Sequence, residues 1–359
     1  MSQGPAEVIL PMPRFECSKD QMMPETNHLP AASSSGADQT VEQLPIVDLQ
    51  GFAFDDAGAR RIANEVDRIF SETGFCYLSN TGVPDALMTS IFTASQAFHA
   101  QPQADKDALA INKFHRGYMA PNTSLIVTSS VATATKPNNS ESLLILHEVP
   151  PGDPRFGRAL QGPNQWPPNV PGFRETVTAY NAALKTLARN FSHVIARALG
   201  LKPNALDRYF ENPTTFLRLL HYPSQPNAAA DEFGSAPHTD YGFITILLQD
   251  AVGGLEVRKR GGGWMRATPI PGTFVLNVGD ILSRWTNGRW QSTPHRVQNR
   301  TRLDRYSVPF FFDPDMAETI ACLPECVPAG EAPRFEPIVY GDYLMERIDK
   351  NYQYRKTAS

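Results

Sequence analysis

The stretch Pro237-His238-Thr239-Asp240-Tyr241-Gly242-Phe243-Ile244-Thr245-Ile246-Leu247-Leu248 sets two metal-seeking side chains directly ahead of an apolar, β-branched run. A short apolar run bounded by glycine reads as a buried strand. On an extended segment residues two apart point the same way, so His238 and Asp240 are expected to converge on one point. Two imidazoles and one carboxylate are the set that holds non-haem iron(II) on one face and leaves three positions open. The second imidazole is supplied further along by His295, expected to arrive from a facing strand. The pair by itself carries little weight: with eight histidines in the chain, roughly half of one His-x-Asp arises by chance. Taken singly, His295 reads as a hydrogen-bonded structural histidine.

Around this stretch the texture is uniform. Apolar runs at 216–222, 243–248, 254–257, 273–278 and 307–312 are separated by Gly, Pro and Asn, the mark of an antiparallel sandwich or barrel rather than of βαβ units. Upstream the period changes. Phe173, Val177, Tyr180, Leu184, Leu187, Phe191, Ile195 and Leu199 keep helical spacing from Gly172 to Leu201, which predicts a long amphipathic helix. Residues 45–49 and 75–79 read as strands. A helix with Ile62, Ala63, Val66, Ile69 and Phe70 on one face lies between them, preceded by Asp55 and Asp56 and stopped at Gly74. Val83-Pro84-Asp85 opens a second helix through about Phe98. The stretch 113–171 contains β-prone pieces, 125–128 and 143–146, whose order the pattern does not give. The expected fold is α+β, a double-stranded β-helix (jelly-roll) core flanked by helices, with an N-terminal α/β portion. Residues 1–43, rich in Pro, Ser, Ala and Gln, are expected to be a mobile arm; 44–200 a helical and mixed portion packing on the barrel; and 201–355 the jelly roll.

Thirty-three basic against 37 acidic residues in 359 give a net charge of −4, so no general attraction to phosphate backbones or anionic lipid is available. Nucleic-acid and membrane partners are therefore not expected. No run of eighteen apolar residues exists to span a bilayer, and the first residues lack the basic start of a signal peptide. A cytoplasmic location follows as the expectation. Cys17, Cys76, Cys322 and Cys326 are too few for a disulfide framework; Cys322 and Cys326 would touch only on a helix, and such pairs are incidental.

Arg305-Tyr306-Ser307 opens the run that ends Pro309-Phe310-Phe311-Phe312. By strand alternation Arg305 and Ser307 face one way. On an inner barrel wall a guanidinium and a hydroxyl need an anion, and a carboxylate accepts two parallel bonds from an Arg fork. A salt bridge to Asp304 or Asp280 is the competing reading, which the company of the metal triad weakens.

Taken together, these motifs resemble the iron(II)- and 2-oxoglutarate-dependent dioxygenase superfamily, in the branch that includes isopenicillin N synthase, aminocyclopropane carboxylate oxidase and the plant flavonoid oxygenases. The likeness runs from about Leu44 to Tyr352. It is carried by Leu44-Pro45-Ile46-Val47-Asp48-Leu49, by Glu72-Thr73-Gly74-Phe75 through Gly82-Val83-Pro84, by His238-Thr239-Asp240-Tyr241-Gly242, Gly253-Gly254-Leu255-Glu256-Val257, Asn277-Val278-Gly279-Asp280, Thr286-Asn287-Gly288, His295-Arg296-Val297 and Arg305-Tyr306-Ser307. The resemblance implies that His238, Asp240 and His295 bind Fe(II) and that Arg305 and Ser307 grip the distal carboxylate of 2-oxoglutarate. It also implies that Tyr222 contacts the same cosubstrate, although Leu220 stands where relatives commonly carry Asn. O2 is the second cosubstrate. Oxidative decarboxylation to succinate and CO2 would drive hydroxylation, desaturation or ring closure of a small organic molecule, such as an amino-acid derivative or a specialised metabolite.

Other positions receive plainer readings. His221 points away from Tyr222 and is structural; Thr239 is packing; Asp280 suits a turn as well as a place behind the metal. Phe312, Tyr241 and Phe243 are candidate substrate-pocket residues, Phe312 before the others. The 113–171 region and the arm are candidate lid elements. Three rivals stand beside the main reading. The first is an oxidase like isopenicillin N synthase or aminocyclopropane carboxylate oxidase that dispenses with 2-oxoglutarate. The second is a non-catalytic ligand-binding jelly roll, which a damaged triad would announce. The third is a zinc hydrolase, for which no Glu is placed as base.

Overall fold

The computed structural model describes residues 43–50, 56–126 and 135–356. Asp55, Val127, Thr128, Cys17 and all of the expected arm except Gln43 lie outside the described residues. In chain order the strands are β1 (Ile46–Asp48), β2 (Phe75–Ser79), β3 (Gly117–Met119), β4 (Glu141–Leu146), β5 (Thr214–Tyr222), β6 (Ser235–His238), β7 (Ile244–Gln249), β8 (Leu255–Arg258), β9 (Trp264–Arg266), β10 (Phe274–Val278), β11 (His295–Val297), β12 (Arg305–Asp313), β13 (Thr319–Ile320) and β14 (Ile338–Val339). The helices are α1 (Asp56–Glu72), α2 (Asp85–His99), α3 (Gln103–Asp107), α4 (Phe173–Ala198), α5 (Asp280–Trp285), α6 (Tyr340–Asn351) and α7 (Gln353–Lys356).

Two sheets form the framework: an eight-stranded one ordered β1-β2-β10-β7-β12-β5-β4-β3 and a four-stranded one ordered β6-β11-β8-β9. All pairings in both are antiparallel except β1 with β2. This is the expected jelly roll. Strands from both sides of residue 200 share the larger sheet, with β1 and β2 added at one edge and β4 and β3 at the other, so the N-terminal portion extends the barrel wall.

The larger sheet has an apolar face on each side. On the outer side α4 buries Phe173, Val177, Tyr180, Leu184, Leu187, Phe191 and Ile195 in a core continuous with α1, α2 and the outward residues of β7, β10 and β12. Each such side chain contributes about 1.5–3 kcal/mol on burial. α1 ends at Gly74, whose φ of +67° and 2.0 Å approach to the Gln291 carbonyl by any added Cβ admit glycine alone. The inner side is smaller: Phe75, Tyr77, Leu220, Tyr222 and Val275 face Leu255, Val257, Met265 and Val297 of the other sheet. The site lies in this inter-sheet space.

Candidate metal centre and adjoining cavities

His238 is the last residue of β6, and Asp240 lies beyond the strand end. Their convergence therefore comes from the chain leaving the sheet, not from alternation along one strand. His295 comes from β11, the hydrogen-bonded neighbour of β6 in the same sheet, with His295 directly opposite His238; the facing-strand expectation is corrected accordingly. The result brings the three side chains together, their ligand atoms lying within 4.8 Å of one another. Nε2 of His238 and Nε2 of His295 stand 3.8 and 3.7 Å from Asp240 Oδ1.

Each of the three is aimed by a second contact. His238 Nδ1 lies 2.8 Å from the Ala236 carbonyl and His295 Nδ1 3.3 Å from that of Thr293, an arrangement that leaves both Nε2 lone pairs for a cation. Asp240 Oδ2 accepts hydrogen bonds from Thr245 Oγ1 at 2.5 Å and Asn277 Nδ2 at 2.8 Å. Burial pulls the Asp240 carboxyl upward, but His295, His238 and these two donors outweigh it and hold it below its ordinary value. Burial, then the charge of His295, pushes His238 down to about 4. A neutral imidazole at His238 beside an ionised Asp240 carboxylate is the donor state a divalent metal needs.

Two adjoining cavities, of about 130 and 80 Å³, meet at this cluster and share Asn138, Arg218, Ser235, His238, Asp240 and Phe311 in their walls. The smaller holds Arg305, Ser307 and Tyr222. Arg305 is fully buried, and its Nη1 donates to Ser307 Oγ at 3.1 Å. Its Nε and Nη2 have no hydrogen-bond partner among the described residues. The competing salt bridges are not formed: Asp304 receives Ser224 N and lies against His221, while Asp280 accepts from Ser292, Thr239 and Tyr343. A buried guanidinium with two idle N–H groups fits a bidentate carboxylate from outside the chain. The Tyr222 ring lies under it, its centroid 4.6 Å from the guanidinium carbon.

The larger cavity is lined by Tyr241, as expected, and by Leu144, Phe216, Phe311, Leu344, Ile348, Asn351 and Tyr352 among others. Phe312 and Phe243 are corrected. Both are fully buried on the outer face, where Phe312 stacks on Phe210 at 4.8 Å and Phe243 meets Phe210 and Trp285. The cause is parity: Arg305, Ser307, Pro309 and Phe311 of β12 all line the smaller cavity, so Phe312 has the wrong sense and Phe311 the right one. Thr239 is more than packing, since its hydroxyl donates to Asp280 Oδ2 at 3.3 Å and it lines the larger cavity. Asp280 opens α5 and ties Thr239, Ser292 and Tyr343 together behind the metal loop. His221 is structural, held between Glu141 and Asp304 and stacked on Tyr306 at 4.8 Å.

Sequence reasoning passed over Thr245, Asn277, Arg218 and Phe311. For Asn277 and Arg218 a signal exists: each is a polar residue with apolar neighbours on both sides, within Phe274–Val278 and within 216–220 of the strand Thr214–Tyr222, and an enclosed polar group must have business with another.

The model of the 2OG-Fe(II) oxygenase superfamily matches residues 213–314, and that of the N-terminal region described as non-haem dioxygenase in morphine synthesis matches 44–169. The chain is 35% identical over 319 residues to the 2-oxoglutarate-Fe(II) type oxidoreductase hxnY of Emericella nidulans, covering 86% of this chain and 90% of that one. It is 36% identical over 283 residues to the 2-oxoglutarate-dependent dioxygenase citB of Monascus ruber, covering 75% and 84%. Among solved structures, a full-length Neurospora crassa protein crystallised in complex with alpha-KG and thymine superposes with a TM-score of 0.77 at 29% identity, covering 88% of this chain and 98% of that one.

Proposed function

The chain belongs to the 2OG-Fe(II) oxygenase superfamily, and from that premise we propose which of its residues carry the reaction and on what class of molecule. It is an Fe(II)- and 2-oxoglutarate-dependent dioxygenase, with O2 as second cosubstrate, acting on a small molecule; an oxidase that dispenses with 2-oxoglutarate is not favoured. In the proposal His238, Asp240 and His295 hold the iron, and Arg305 with Ser307 takes the distal carboxylate of 2-oxoglutarate. Tyr222 supports the guanidinium by its ring, and the larger cavity takes the substrate, a small organic molecule of specialised metabolism.

When bound, the iron and its cosubstrate supply the oxidising power, O2 being consumed as 2-oxoglutarate leaves as succinate and CO2. The protein's share is positional. Arg305 sets how far the cosubstrate reaches toward the metal, Thr245 and Asn277 fix which oxygen Asp240 presents, and Phe216, Phe311, Leu344 and Ile348 exclude water from the reacting carbon. The observation that carries the reading is the pair of idle, fully buried N–H groups on Arg305 across a small cavity from the His-Asp-His cluster.

No helix among the described residues is long and apolar enough to cross a membrane, and Cys76, Cys322 and Cys326 are free thiols. With the net charge of −4, these support a reading in which the enzyme works in a reducing cytoplasm without nucleic-acid or membrane partners. The test is spectroscopic. Anaerobic Fe(II) protein should develop a visible metal-to-ligand charge-transfer band on addition of 2-oxoglutarate, and Arg305→Gln should require at least tenfold more 2-oxoglutarate to reach it. A chain that binds Fe(II) and gives no band refutes the assignment.

A further inference from the structure

β6 is an edge of the four-stranded sheet, with β11 its sole strand neighbour among the described residues. Even that pairing is interrupted. His238 stands opposite His295 and Ser235 opposite Val297, so four residues of β6 face three of β11 and the register slips at Ala236 and Pro237. Pro237 has no N–H to offer a neighbour. The ladder is therefore weakest just ahead of the imidazole that this strand delivers.

Asn138 supplies what the ladder lacks. Its Oδ1 accepts the Ala236 N–H at 2.8 Å, between residues 98 apart in the chain. The Ala236 carbonyl lies 2.8 Å from His238 Nδ1 and, being only an acceptor, places the proton on that nitrogen. The orientation of the Asn138 amide follows from the same logic: a backbone N–H can only donate, so Oδ1 faces Ala236 and Nδ2 donates to Ser124 Oγ at 3.2 Å. The main chain of Asn138 is held as well, its N–H by the Ser124 carbonyl and its carbonyl by the Asn122 N–H, both at 2.9 Å.

This buried amide lines both cavities. On its far side Ser124 bridges to Tyr352, and Leu125 N–H donates to the Asn351 carbonyl at 3.4 Å. Ser124, Asn351 and Tyr352 are wall residues of the larger cavity. Two hydrogen bonds, Asn138 to Ala236 and Ala236 to His238, thus join that wall to the ring.

We propose that Asn138 is a positioning residue for the metal centre. By holding Ala236 it keeps that carbonyl on His238 Nδ1, which aims Nε2 at the metal, and it ties this aim to the cavity wall built by Ser124, Asn351 and Tyr352. The inference rests on the assignment of His238 as an iron ligand.

The test uses full-length protein loaded with Co(II), in which the exchangeable Nδ1–H protons of bound imidazoles give shifted NMR signals. His238 and His295 are told apart by their contacts with Ala236 and Thr293. In Asn138→Leu, solvent exchange of the His238 proton should quicken about tenfold, as loss of one hydrogen bond does, with that of His295 unchanged. Asn138→Asp keeps the acceptor and should leave His238 exchange near its original rate. Asn138→Ala takes the place of Asn138→Leu if the larger side chain prevents folding. Metal-free protein labelled with 15N-histidine is read in parallel at about pH 8, where imidazoles are neutral. The His238 signals, identified by their loss in His238→Gln, should report the Nδ1–H tautomer in the unaltered protein and a mixture in Asn138→Leu. Equal quickening of both imidazole protons would show general loosening and overturn the proposal. Unchanged exchange and tautomer in Asn138→Leu would overturn it too, leaving Pro237 and β11 to aim the ring, as would Asn138→Asp exchanging as fast as Asn138→Leu. Absence of shifted imidazole signals in the unaltered protein strikes the metal assignment instead, and the tautomer of His238 without metal then decides this proposal by itself.

Discussion

Asn277 donates its side-chain amide to Asp240 Oδ2 at 2.8 Å, and Asp240 Oδ1 is thereby the oxygen left toward His238 and His295. Thr245 Oγ1 closes on the same Oδ2. These two donors come from neighbouring strands, β10 and β7, paired in register at Asn277 and Thr245, so the barrel wall itself orients the carboxylate. Thr245→Val and Asn277→Leu remove the donors at nearly constant volume. Each should weaken Mn(II) or Fe(II) affinity about 10- to 100-fold while far-UV circular dichroism stays unchanged. Undiminished affinity in both would mean that the metal alone orders the carboxylate.

Gly279 supports the same loop through close backbone contact. Its N–H donates to the Phe243 carbonyl, Asp280 N to that of Asp240 and Ile281 N to that of Gly242, at 2.8–2.9 Å. A Cβ on Gly279 would stand 2.2 Å from the Gly242 carbonyl oxygen, a collision with main chain that no side-chain rotation relieves. Gly279→Ala should cost about 1–3 kcal/mol in urea unfolding and lower metal affinity together with stability, since the displaced strand end carries Asp240. Gly261→Ala, where nothing lies within 4 Å of the added carbon, is the control and should be neutral.

What the sequence made legible follows from local rules. The apolar runs at 216–222, 243–248 and 273–278 became β5, β7 and β10 because side-chain patterning sets strand existence, and the spacing of Phe173 to Ile195 became α4 for the same reason. Parity was also readable: the alternation that pairs Arg305 with Ser307, continued along β12, reaches Phe311, so choosing Phe312 on aromatic character alone put it on the wrong face. Other features depend on contacts distant in the chain. β6, Ser-Ala-Pro-His, has no strand signal of its own and is ordered by pairing with β11. The role of Asp280 required Tyr343 from α6, and the Leu344 and Ile348 lining belongs to a helix whose place over the cavity no local pattern gives.

His147 offers a clean pH experiment away from the metal. Burial pushes its imidazole down to about 4, against a hydrogen bond with Gln161 at 2.8 Å that works in the other direction. In the unfolded chain the same group takes its proton near 6.5. A depressed histidine therefore contributes stability that is complete above pH 6.5 and is lost as pH falls toward 4, with a slope of about 1.4 kcal/mol per pH unit in between. Asp313, raised to about 7 by burial, works oppositely over that range, so the whole-protein curve mixes signs and the difference between variants is the informative quantity. His147→Gln should remove one proton's worth of slope between pH 6 and 4.5 in urea unfolding of metal-loaded protein. Parallel curves for the two proteins would show that His147 is protonated in the folded state.

Tyr222 meets Arg305 through its ring, and its expected contact with the cosubstrate can be tested against that geometry. Its ring faces the Arg305 guanidinium, with the centroid 4.6 Å from Cζ, and presses against Gly234, where any Cβ would meet ring carbon at 2.4 Å. Support of this kind comes from the π face and amounts to about 0.5–2 kcal/mol in a desolvated site. The hydroxyl is not part of it. Tyr222→Phe should therefore change 2-oxoglutarate affinity by no more than about twofold, whereas Tyr222→Leu should weaken it about 5- to 30-fold, the equivalent of about 1–2 kcal/mol. Ser307→Ala, which frees Arg305 Nη1 from its 3.1 Å bond, should cost about 2- to 12-fold, as one hydrogen bond of about 0.5–1.5 kcal/mol does. Titration of the charge-transfer band measures all three. Should Tyr222→Phe prove as damaging as Tyr222→Leu, the hydroxyl touches the cosubstrate directly, and the ring is its carrier rather than the platform for Arg305.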